Sequence, residues 1–390
     1  MHSYESLKGN WNYPTLIRFG VGRITELADA CQELGIARPL LVTDPGLADL
    51  PMVREALRIC EAAGLDCGLF SEVQSNPVAA NVEAGIRAYR VGGHDGVIAF
   101  GGGSVLDVAK AVALMVGQQR PLWDFEDRGD WYKRINVDNM SPVVAIPTTS
   151  GTGSEVGRAS VITDQHDRTK KIVFHPNMLP ALVIADPTLT IGLPPDITAA
   201  VGMDALSRNL EAYCSPLYHP MAHGIALEGI RLIKTWLPGA YQDGNNIEAR
   251  AHMMAASMLG ATASQKGLGA MHSLSHACSA MLNTHHGLTN AVVMPYVLLF
   301  NRPAITDKLT ALAHYLDFPN PSFQATLDWV LTLRSSIGIP HTLAELGVKE
   351  EHAGPFAKMA EVDPASGTNP IPLTAENLKR LLFSAIRGVL

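Results

Sequence analysis

The stretch GVIAFGGGSVLDVAKAVALMV at residues 96–116 decides the fold class. Its first five residues form a continuous apolar run, which is typical of a strand buried on both faces of a parallel sheet. Three glycines and Ser104 follow, and the remainder has the apolar spacing of a helix. Glycines at such a turn let a phosphate approach the backbone, and the helix N-terminus directs N–H groups toward it. The loop therefore predicts either a pyrophosphate site or only a tight strand-to-helix turn.

A second loop of the same kind follows another apolar strand. The run VVAIP (143–147) leads into PTTSGTGSE (147–155), which is rich in hydroxyl and backbone donors. Because the carboxyl ends of parallel strands share one edge of a sheet, the two loops predict a crevice at that edge. Neither loop has the G-x-G-x-x-G or Gly-Lys-Ser/Thr spacing, so the sequence lacks the main motifs that would indicate a kinase or an NTPase.

Strands and helical patterns alternate through the first half of the chain, with PLLVTD at 39–44 and helices near 51–64 and 79–92. This alternation predicts a parallel sheet with helices on both faces. The second half consists of long Ala/Leu/Met-rich segments, which predict a nearly all-helical domain. Its segments with helical spacing are 196–213, 221–236, 247–263, 267–282, 305–316, 322–336 and 374–388. We therefore expect an α/β domain at residues 1–190 and an all-α domain at residues 191–390.

Composition and charge exclude several classes of function. The 390 residues suffice for two domains, and 30 Lys and Arg against 37 Asp and Glu give a formal charge of -7. Such a chain offers no positive field for nucleic acid or anionic lipid. Five cysteines are scattered without a C-x-x-C pair, as expected of reduced thiols, and neither a signal peptide nor a membrane span is apparent. We expect a cytoplasmic enzyme that binds neither nucleic acid nor membrane.

Asp44 ends the run LLVTD, at the carboxyl end of a predicted strand. An acid at this place can accept hydrogen bonds from both hydroxyls of an adenosine ribose and would repel a 2′-phosphate, which favours NAD over NADP. An ordinary Asp-Pro-Gly turn at residues 44–46 explains the same residue equally well.

The helical half holds three histidines and one aspartate that fit a reactive site. His272 and His276 are four residues apart and share one helix face, and His286 follows ten residues later. Imidazoles clustered in this way are metal ligands or proton carriers. Asp204 lies in an otherwise apolar run. Because an isolated buried carboxylate is costly, we expect beside it a metal, Arg208 one turn later, or the donors of a helix end.

In order and spacing, these motifs resemble those of the iron-containing (group III) alcohol dehydrogenases. The resemblance runs from end to end of the chain. Its motifs are Pro14, RFG (18–20), NP (76–77), GGGSVLDVAK (101–110), PTTSGTGSE (147–155), DP (186–187), GMDAL (202–206), GLGAMHSLSH (267–276), HHGLTNAV (285–292) and NP (369–370). The resemblance implies an α/β NAD-binding domain followed by an all-α metal-binding domain, in a fold similar to that of dehydroquinate synthase.

The resemblance also implies roles for individual residues. The residues implied for binding NAD are Asp44, Asn76, Gly102, Gly103, Ser104, Asp107, Thr148, Thr149 and Lys171. Asp107 would lie near the nicotinamide carboxamide. A divalent metal, Fe2+ or Zn2+, would be held by Asp204, His272 and His286. His276 would lie near the nicotinamide and the substrate, where it could steer protons.

One metal-ligand position departs from the family pattern. Where the family has a histidine four residues after the aspartate, this chain has Arg208, which is not a usual metal ligand and stays charged. A guanidinium at 4 Å from a dication is opposed by about 8 kcal/mol at an effective dielectric constant of 20. Three alternatives follow: Arg208 swings aside from a weakened three-ligand metal, it pairs with Asp204 and itself polarises the substrate, or the site is inactive.

These observations predict reversible transfer of hydride between a small alcohol and NAD, with the metal or Arg208 polarising the substrate oxygen. Lys266 precedes the histidine helix and, unless it reaches solvent, could act with Arg208 to favour a substrate that carries an anionic group. The alternatives are a metal-independent reductase similar to maleylacetate reductases and an NAD-binding protein without turnover. The resemblance also implies a homodimer or a higher homo-oligomer.

Overall fold

The computed structural model describes Tyr13 and residues 15–390. Pro14, one of the motif residues, lies outside the described residues. The described chain forms two compact units. Residues 15–149 and 153–192 form the first, called the α/β unit here, and Leu193–Leu390 with Ser150–Thr152 and Tyr13 form the second, the helical unit.

Strands and helices alternate along the described part of the α/β unit. The strands are β1 (Leu16–Phe19), β2 (Pro39–Val42), β3 (Gly68–Phe70), β4 (Gly96–Gly101), β5 (Val143–Pro147), β6 (Ala159–Asp164), β7 (Thr169–Phe174) and β8 (Leu182–Ala185). The helices are α1 (Leu27–Glu33), α2 (Pro45–Ala48), α3 (Pro51–Ala62), α4 (Ala79–Val91) and α5 (Gly103–Met115). Six strands pair in parallel in the order β1-β8-β5-β4-β2-β3, and β6 and β7 form a separate antiparallel hairpin.

The central strand β4 is buried along its whole length, as its continuous apolar sequence predicts. Successive side chains of a strand point to opposite faces of the sheet. Ile98 and Phe100 therefore share one face, where they join a core with residues of α1 and α3. After the glycine turn that follows β4, helix α5 packs back against β4 and β5. The parallel α/β architecture expected from the sequence is confirmed.

The strand order reverses between β2 and β4. From β2 the chain continues outward to the edge strand β3, whereas from β4 it continues in the opposite direction to β5. In open parallel sheets, ligands bind outside the carboxyl ends of the strands at such a switch point. The residues that follow these two strands are Asp44 and the GGGS loop at 101–104. The topology therefore provides this edge of the sheet for a ligand.

The described part of the helical unit consists of helices without a β-strand. They are α6 (Pro195–Cys214), α7 (Pro220–Gln242), α8 (Ile247–Ala263), α9 (Ala270–Leu282), α10 (His286–Tyr315), α11 (Phe323–Ser336), α12 (Ala353–Glu361) and α13 (Ala375–Arg387). Helix α6 packs against α7, α8 and α10, and most of its residues are buried. A helix enclosed on all sides is apolar around its circumference. The polar residues on α6 therefore need partners inside the unit.

None of the helices in the described part of the chain combines the length and the apolarity that crossing a membrane requires. All five cysteines are free thiols, and four of them are buried.

Candidate active site

The GGGS loop and the second glycine-rich loop contact each other in the α/β unit. The Thr148 N–H donates to the Gly101 carbonyl at 3.1 Å. A Cβ on Gly101 would lie 2.8 Å from the Val105 side chain, and one on Gly102 would lie 3.3 Å from Thr149. Glycine is therefore needed at 101, where the chain turns into the following helix, and a side chain at 102 would require Thr149 to shift. Helix α5 begins directly after Gly102, and its first N–H groups have no acceptor within the helix, so they suit an anion.

Asp44 is the N-cap residue of the short helix α2. Its Oδ1 accepts hydrogen bonds from the Gly46 N–H at 2.8 Å and from the Leu47 N–H at 3.1 Å. The Asp-Pro-Gly turn considered as an alternative is therefore present. It fixes the carboxylate at the carboxyl edge of the sheet, and binding of a ribose by Asp44 stays a prediction.

Asp107 is buried and holds α5 to the hairpin. Its Oδ1 accepts from the Ser154 hydroxyl, and its Oδ2 accepts from the Val161 N–H at 3.0 Å. The Lys110 ammonium lies 3.4 Å from Oδ1. Since all these partners belong to the protein, the structure gives Asp107 a role in joining α5 to β6. Its expected position near a nicotinamide carboxamide stays a prediction.

Lys110 is a site residue that the motif analysis did not single out. Its side chain is 1% exposed, and Nζ donates to the Ser154 hydroxyl at 2.7 Å, to the Ser154 carbonyl at 3.0 Å and to the Ala159 carbonyl. A buried ammonium needs such acceptors because its desolvation is costly. Lys110 therefore ties α5 to the end of the second glycine-rich loop. The available signal was a lysine three residues after Asp107 in an apolar helix.

Asn76 and Lys171 also lie in the α/β unit, on different segments. Lys171 on β7 forms ion pairs with Asp164 at 2.5 Å and with Asp167 at 3.0 Å. Asn76 has a positive φ of 49°, and its side-chain oxygen accepts from Lys170 at 2.8 Å. These two carboxylates therefore neutralise the Lys171 ammonium without a bound ligand.

In the helical unit, α6, α9 and α10 bring Asp204, His272 and His286 together. One possible ligand atom from each residue lies within 4.8 Å of the other two. The Nε2 atoms of His272 and His286 lie 3.8 Å and 3.6 Å from Asp204 Oδ1. The turn at 283–285 joins α9 to α10, and the packing of the two helices brings His286 beside His272. These three residues are the predicted metal ligands.

Further polar groups orient the two imidazoles. Glu211 on α6 pairs with His272 Nδ1 at 2.6 Å and accepts from the Met271 N–H at 2.7 Å. Ser275 Oγ pairs with His286 Nδ1 at 2.8 Å. Hydrogen bonds at Nδ1 fix the ring and direct Nε2 toward a metal. Glu211 belongs to none of the sequence motifs that predict the site, although it lies two turns after Asp204 on the same helix.

The fit of these residues to a metal rests on one nitrogen. His272 Nε2 is buried, and the described residues give it no hydrogen-bond partner. Such an orphaned acceptor is unfavourable in a native protein unless an ion or a ligand satisfies it. One carboxylate and two imidazoles suit Fe2+ or Zn2+, and three protein ligands are the usual number in a catalytic zinc site. The residues therefore fit a divalent cation.

The protonation states of Asp204 and His272 suit metal ligands, whereas the positive charge of Arg208 opposes a cation. Burial opposes ionisation of Asp204, but the charge of Arg208, the neighbouring imidazoles and the hydrogen bond from Asn290 together outweigh it, so the pKa of Asp204 lies below its usual value. Burial, together with the Arg208 charge, holds the pKa of His272 well below its usual value. His272 is therefore neutral at pH 7, as a metal ligand must be. Burial raises the pKa of Glu211 to about 8.

Arg208 lies beside the cluster and pairs with Asp204. Its Nε is 3.6 Å from Asp204 Oδ2, while Oδ1 accepts from the Asn290 amide at 2.8 Å. The side chain of Arg208 is 13% exposed. The pairing with Asp204 is thus one of the three alternatives that the sequence left open, and it leaves Oδ1 directed toward the imidazoles.

His276 belongs to the same cluster, whereas Lys266 is occupied elsewhere. His276 Nδ1 pairs with Asp363 Oδ2 at 2.9 Å, and its ring stacks on His286 with centroids 5.3 Å apart. Lys266 is only 4% exposed, and its Nζ donates to the Tyr213 carbonyl in the last turn of α6. Burial lowers the pKa of Lys266 to about 8. Lys266 therefore neither reaches solvent nor offers a free ammonium to a substrate.

Comparison with known proteins shows the family to which the chain belongs. The family model "Iron-containing alcohol dehydrogenase" matches residues 14–187, and the model of the C-terminal part of that family matches residues 198–386. A 4-hydroxybutyrate dehydrogenase of Cupriavidus necator is 38% identical over 95% of this chain and 98% of its own.

Solved structures show the same fold. A 1,3-propanediol oxidoreductase superimposes with a TM-score of 0.92 at 32% identity, covering 97% of this chain and 100% of that one. A sulfoacetaldehyde reductase from Bifidobacterium kashiwanohense, solved in complex with NAD+, gives a TM-score of 0.87 at 28% identity, covering 97% and 98%. The class is therefore that of oxidoreductases acting on CH–OH groups. Within this class, the chain belongs to the iron-containing alcohol dehydrogenase family.

Proposed function

We propose that this chain is an NAD-dependent alcohol dehydrogenase and aldehyde reductase that uses a divalent metal. The observation that carries the proposal is the convergence of Asp204, His272 and His286 around an unsatisfied imidazole nitrogen. The sulfoacetaldehyde reductase solved with NAD+ supports the choice of cofactor. The substrate proposed is a small primary or secondary alcohol, or the corresponding carbonyl compound.

The α/β unit would bind the cofactor through its glycine-rich loops. The N–H groups at the start of α5, with Gly102, Gly103 and Ser104, would bind the pyrophosphate. Asp44 would accept from the adenosine ribose and disfavour a 2′-phosphate. When bound, the nicotinamide ring supplies the hydride acceptor or donor. Lys110 and Asp107 would keep both loops in position through their buried hydrogen bonds.

The helical unit would bind the metal and the reacting end of the substrate. Asp204, His272 and His286 would be the protein ligands, Fe2+ or Zn2+ being the expected ion. A bound divalent cation supplies polarisation of the substrate oxygen. Glu211 and Ser275 hold the two imidazoles by their Nδ1 atoms, which directs the Nε2 atoms toward the metal position, and the Asn290 amide, 3.3 Å from His286 Nε2, would have to give way to the ion.

His276 would carry the proton. Asp363 pairs with its Nδ1, which fixes the ring and leaves Nε2 as the atom that exchanges a proton with the substrate hydroxyl or with water. The stacking on His286 keeps His276 beside the metal ligands.

A second candidate function is a metal-independent reductase. The observation that favours it is the ion pair of Arg208 with Asp204, which places a permanent positive charge beside the histidines. In this case the Arg208 guanidinium would stabilise the developing negative charge on the substrate oxygen.

The deciding experiment combines metal analysis with an activity assay. Protein purified without chelators is analysed for Fe and Zn, and NADH absorbance is followed with a panel of alcohols and aldehydes. We expect chelation to remove activity, added Fe2+ or Zn2+ to restore it, and Asp204→Ala to prevent the restoration. Arg208→His should bind metal more tightly than the wild type. Full activity in metal-free protein would favour the second candidate, and no NADH change with any compound would contradict the proposal.

We also propose that the chain forms a homodimer or a higher homo-oligomer. Light scattering of the purified protein measures its mass directly. A multiple of the 41.8 kDa of one chain is expected, whereas a mass of 41.8 kDa would contradict the proposal.

A further inference from the structure

We propose that Arg208 binds an anionic group of the substrate and thereby selects alcohols and aldehydes that carry a carboxylate away from the reacting carbon. The inference rests on the proposed function, because it names the substrate class of that same site. The inference is based on the hydrogen-bond acceptors that the Arg208 side chain lacks in the protein.

The guanidinium of Arg208 is poorly satisfied by the protein. Its Nε is buried, yet no described residue accepts a hydrogen bond from it. Asp204 Oδ2 is the nearest carboxylate oxygen and lies 3.6 Å away, which is an ion-pair distance and too long for a hydrogen bond. A charged group left without hydrogen bonds costs more than a neutral one. The side chain is therefore placed for a ligand that the protein does not itself provide.

The surrounding carboxylates do not neutralise Arg208 fully. Asp204 is shared, since its Oδ1 accepts from Asn290 and faces the imidazoles of His272 and His286. The two oxygens of Glu211 are taken by α9, at the Met271 N–H and at the His272 ring. Positive charge therefore remains near Arg208, and a divalent ion on the same ligands would increase it.

A carboxylate is the group that matches this charge. The guanidinium presents a planar set of donors that a carboxylate, or a group with similar oxygens, accepts in pairs. Arg208 also starts one helical turn, about 5.4 Å, from Asp204 on the same face of α6. A short substrate can therefore contact the metal ligands with its reacting oxygen and Arg208 with its carboxylate.

Lys266 does not share this role. Its ammonium donates to the Tyr213 carbonyl at the end of α6, and the neighbouring Lys308 donates to the carbonyls of Cys214 and Ser215. Both lysines donate to carbonyl oxygens at the C-terminal end of α6, which lack partners within the helix. We therefore assign binding of the substrate's anionic group to Arg208 and not to Lys266.

The test compares two four-carbon aldehydes, succinic semialdehyde and butyraldehyde, with NADH as the reductant. Wild-type protein should show a higher kcat/KM for succinic semialdehyde. Arg208→Gln should lower the ratio of the two values by about ten- to a hundredfold, the usual effect of one charged hydrogen bond. The loss should appear mainly in the KM for succinic semialdehyde, because the carboxylate contact does not change during the reaction. Arg208→Lys should retain part of the preference.

A binding measurement separates recognition from turnover. Calorimetry with butyrate on metal-free protein, at a temperature where both proteins are folded, should detect binding to the wild type and none to Arg208→Gln. Lys266→Met is the matched variant and should leave the preference between the aldehydes unchanged. Equal kcat/KM values for the two aldehydes, or an unchanged ratio in Arg208→Gln, would overturn the inference. If neither aldehyde is reduced, the panel of alcohols and aldehydes decides the proposed function, and the butyrate measurement decides whether Arg208 binds a carboxylate.

Discussion

Lys110 shows how one buried charge can hold a ligand loop. The ammonium has no access to solvent and is satisfied by Ser154 and by the Ala159 carbonyl, with Asp107 at 3.4 Å. Breaking a buried pair is costly because the remaining partner keeps its desolvation penalty. The residue therefore couples the stability of the α/β unit to the conformation of the second glycine-rich loop.

We expect Lys110→Met to lower the free energy of unfolding by about 3 kcal/mol, because Asp107 is left as an uncompensated buried charge. Ser154→Ala removes the hydroxyl that accepts from Lys110 and donates to Asp107, and should cost about 2 kcal/mol. Urea denaturation measures both. Lys358→Met, at an exposed position on α12, is the control and should change the stability by less than about 0.5 kcal/mol. Equal losses for Lys110→Met and Lys358→Met would contradict this account.

His223 should contribute a pH-dependent part of the stability. Burial, and then the charges of Lys266 and Lys308, lower its pKa from 6.5 to about 4. Since its pKa is lower in the folded state, the unfolded chain binds more protons there, and stability falls as pH falls. The contribution of His223 is present above pH 6.5 and is lost as the pH falls through about 4.

The corresponding experiment compares wild type with His223→Gln in urea denaturation across that interval. The variant should lose less stability between pH 6.5 and about 4 than the wild type. His314→Gln, at an exposed position on α10, should follow the wild-type curve. A His223→Gln curve parallel to that of the wild type would show that His223 does not titrate as described.

The candidate metal site could be predicted because its residues carry a local signal. His272 and His276 show the i,i+4 spacing of one helix face, and Asp204 is conspicuous in an apolar run. Glu211 and Lys110 were missed, since their partners are distant in sequence. Glu211 reaches His272 across 61 positions and Lys110 reaches Ser154 across 44. Only the packing of the helices and loops shows those pairings.

Among the elements, the sequence predicts buried strands well and irregular ones poorly. GVIAF and VVAIP are continuous apolar runs and correspond to β4 and β5. The strand β1 was not expected, because its sequence LIRF contains an arginine and its ends are exposed. The helical pattern at 305–316 is only the last part of α10, which begins at His286 and contains Pro295 and Pro303. Prolines inside a helical pattern ordinarily indicate a helix end, so the sequence did not predict residues 286–304 as part of this helix.

The start of α10 is placed by a glycine. A Cβ on Gly287 would lie 2.6 Å from the Ala200 carbonyl oxygen and 3.0 Å from the Asp204 Cβ. Because the obstacle at Ala200 is backbone, a side chain at 287 would push α10 away from α6. The neighbouring His286 would then move away from Asp204. The absence of a side chain at position 287 thus sets the distance between Asp204 and His286, two of the proposed metal ligands.

Gly287→Ala should therefore weaken metal binding by at least tenfold, in the range of about 10–100-fold found when the support of a metal ligand is removed. Overpacking should also cost about 1–3 kcal/mol of stability. Calorimetric titration with Zn2+ measures the first effect and urea denaturation the second. The control is Gly224→Ala on α7, where a Cβ meets nothing within 4 Å, and it should stabilise the protein by up to about 1 kcal/mol. Unchanged Zn2+ affinity in Gly287→Ala would contradict the argument.

In the molecule as a whole, the two proposed ligands depend on different units. The loops assigned to NAD lie beside α5 and β5 in the α/β unit, whereas the three proposed metal ligands lie on α6, α9 and α10 in the helical unit. Each set obtains its geometry from its own core. A substitution that damages one set should therefore leave the other able to bind.

This separation predicts the pattern of ligand-dependent stabilisation. A ligand that binds only the folded protein stabilises it by about 2.7 kcal/mol at a hundred times its Kd. NADH and Zn2+ should each raise the melting temperature of the wild type. Asp204→Ala should abolish the shift caused by Zn2+ and retain that of NADH, because it removes a metal ligand and leaves α5 intact. Gly102→Val should do the reverse, since its side chain would occupy the space beside Thr149 where the backbone is expected to meet the pyrophosphate. Loss of both shifts in either variant would show that the two sets of residues do not bind independently.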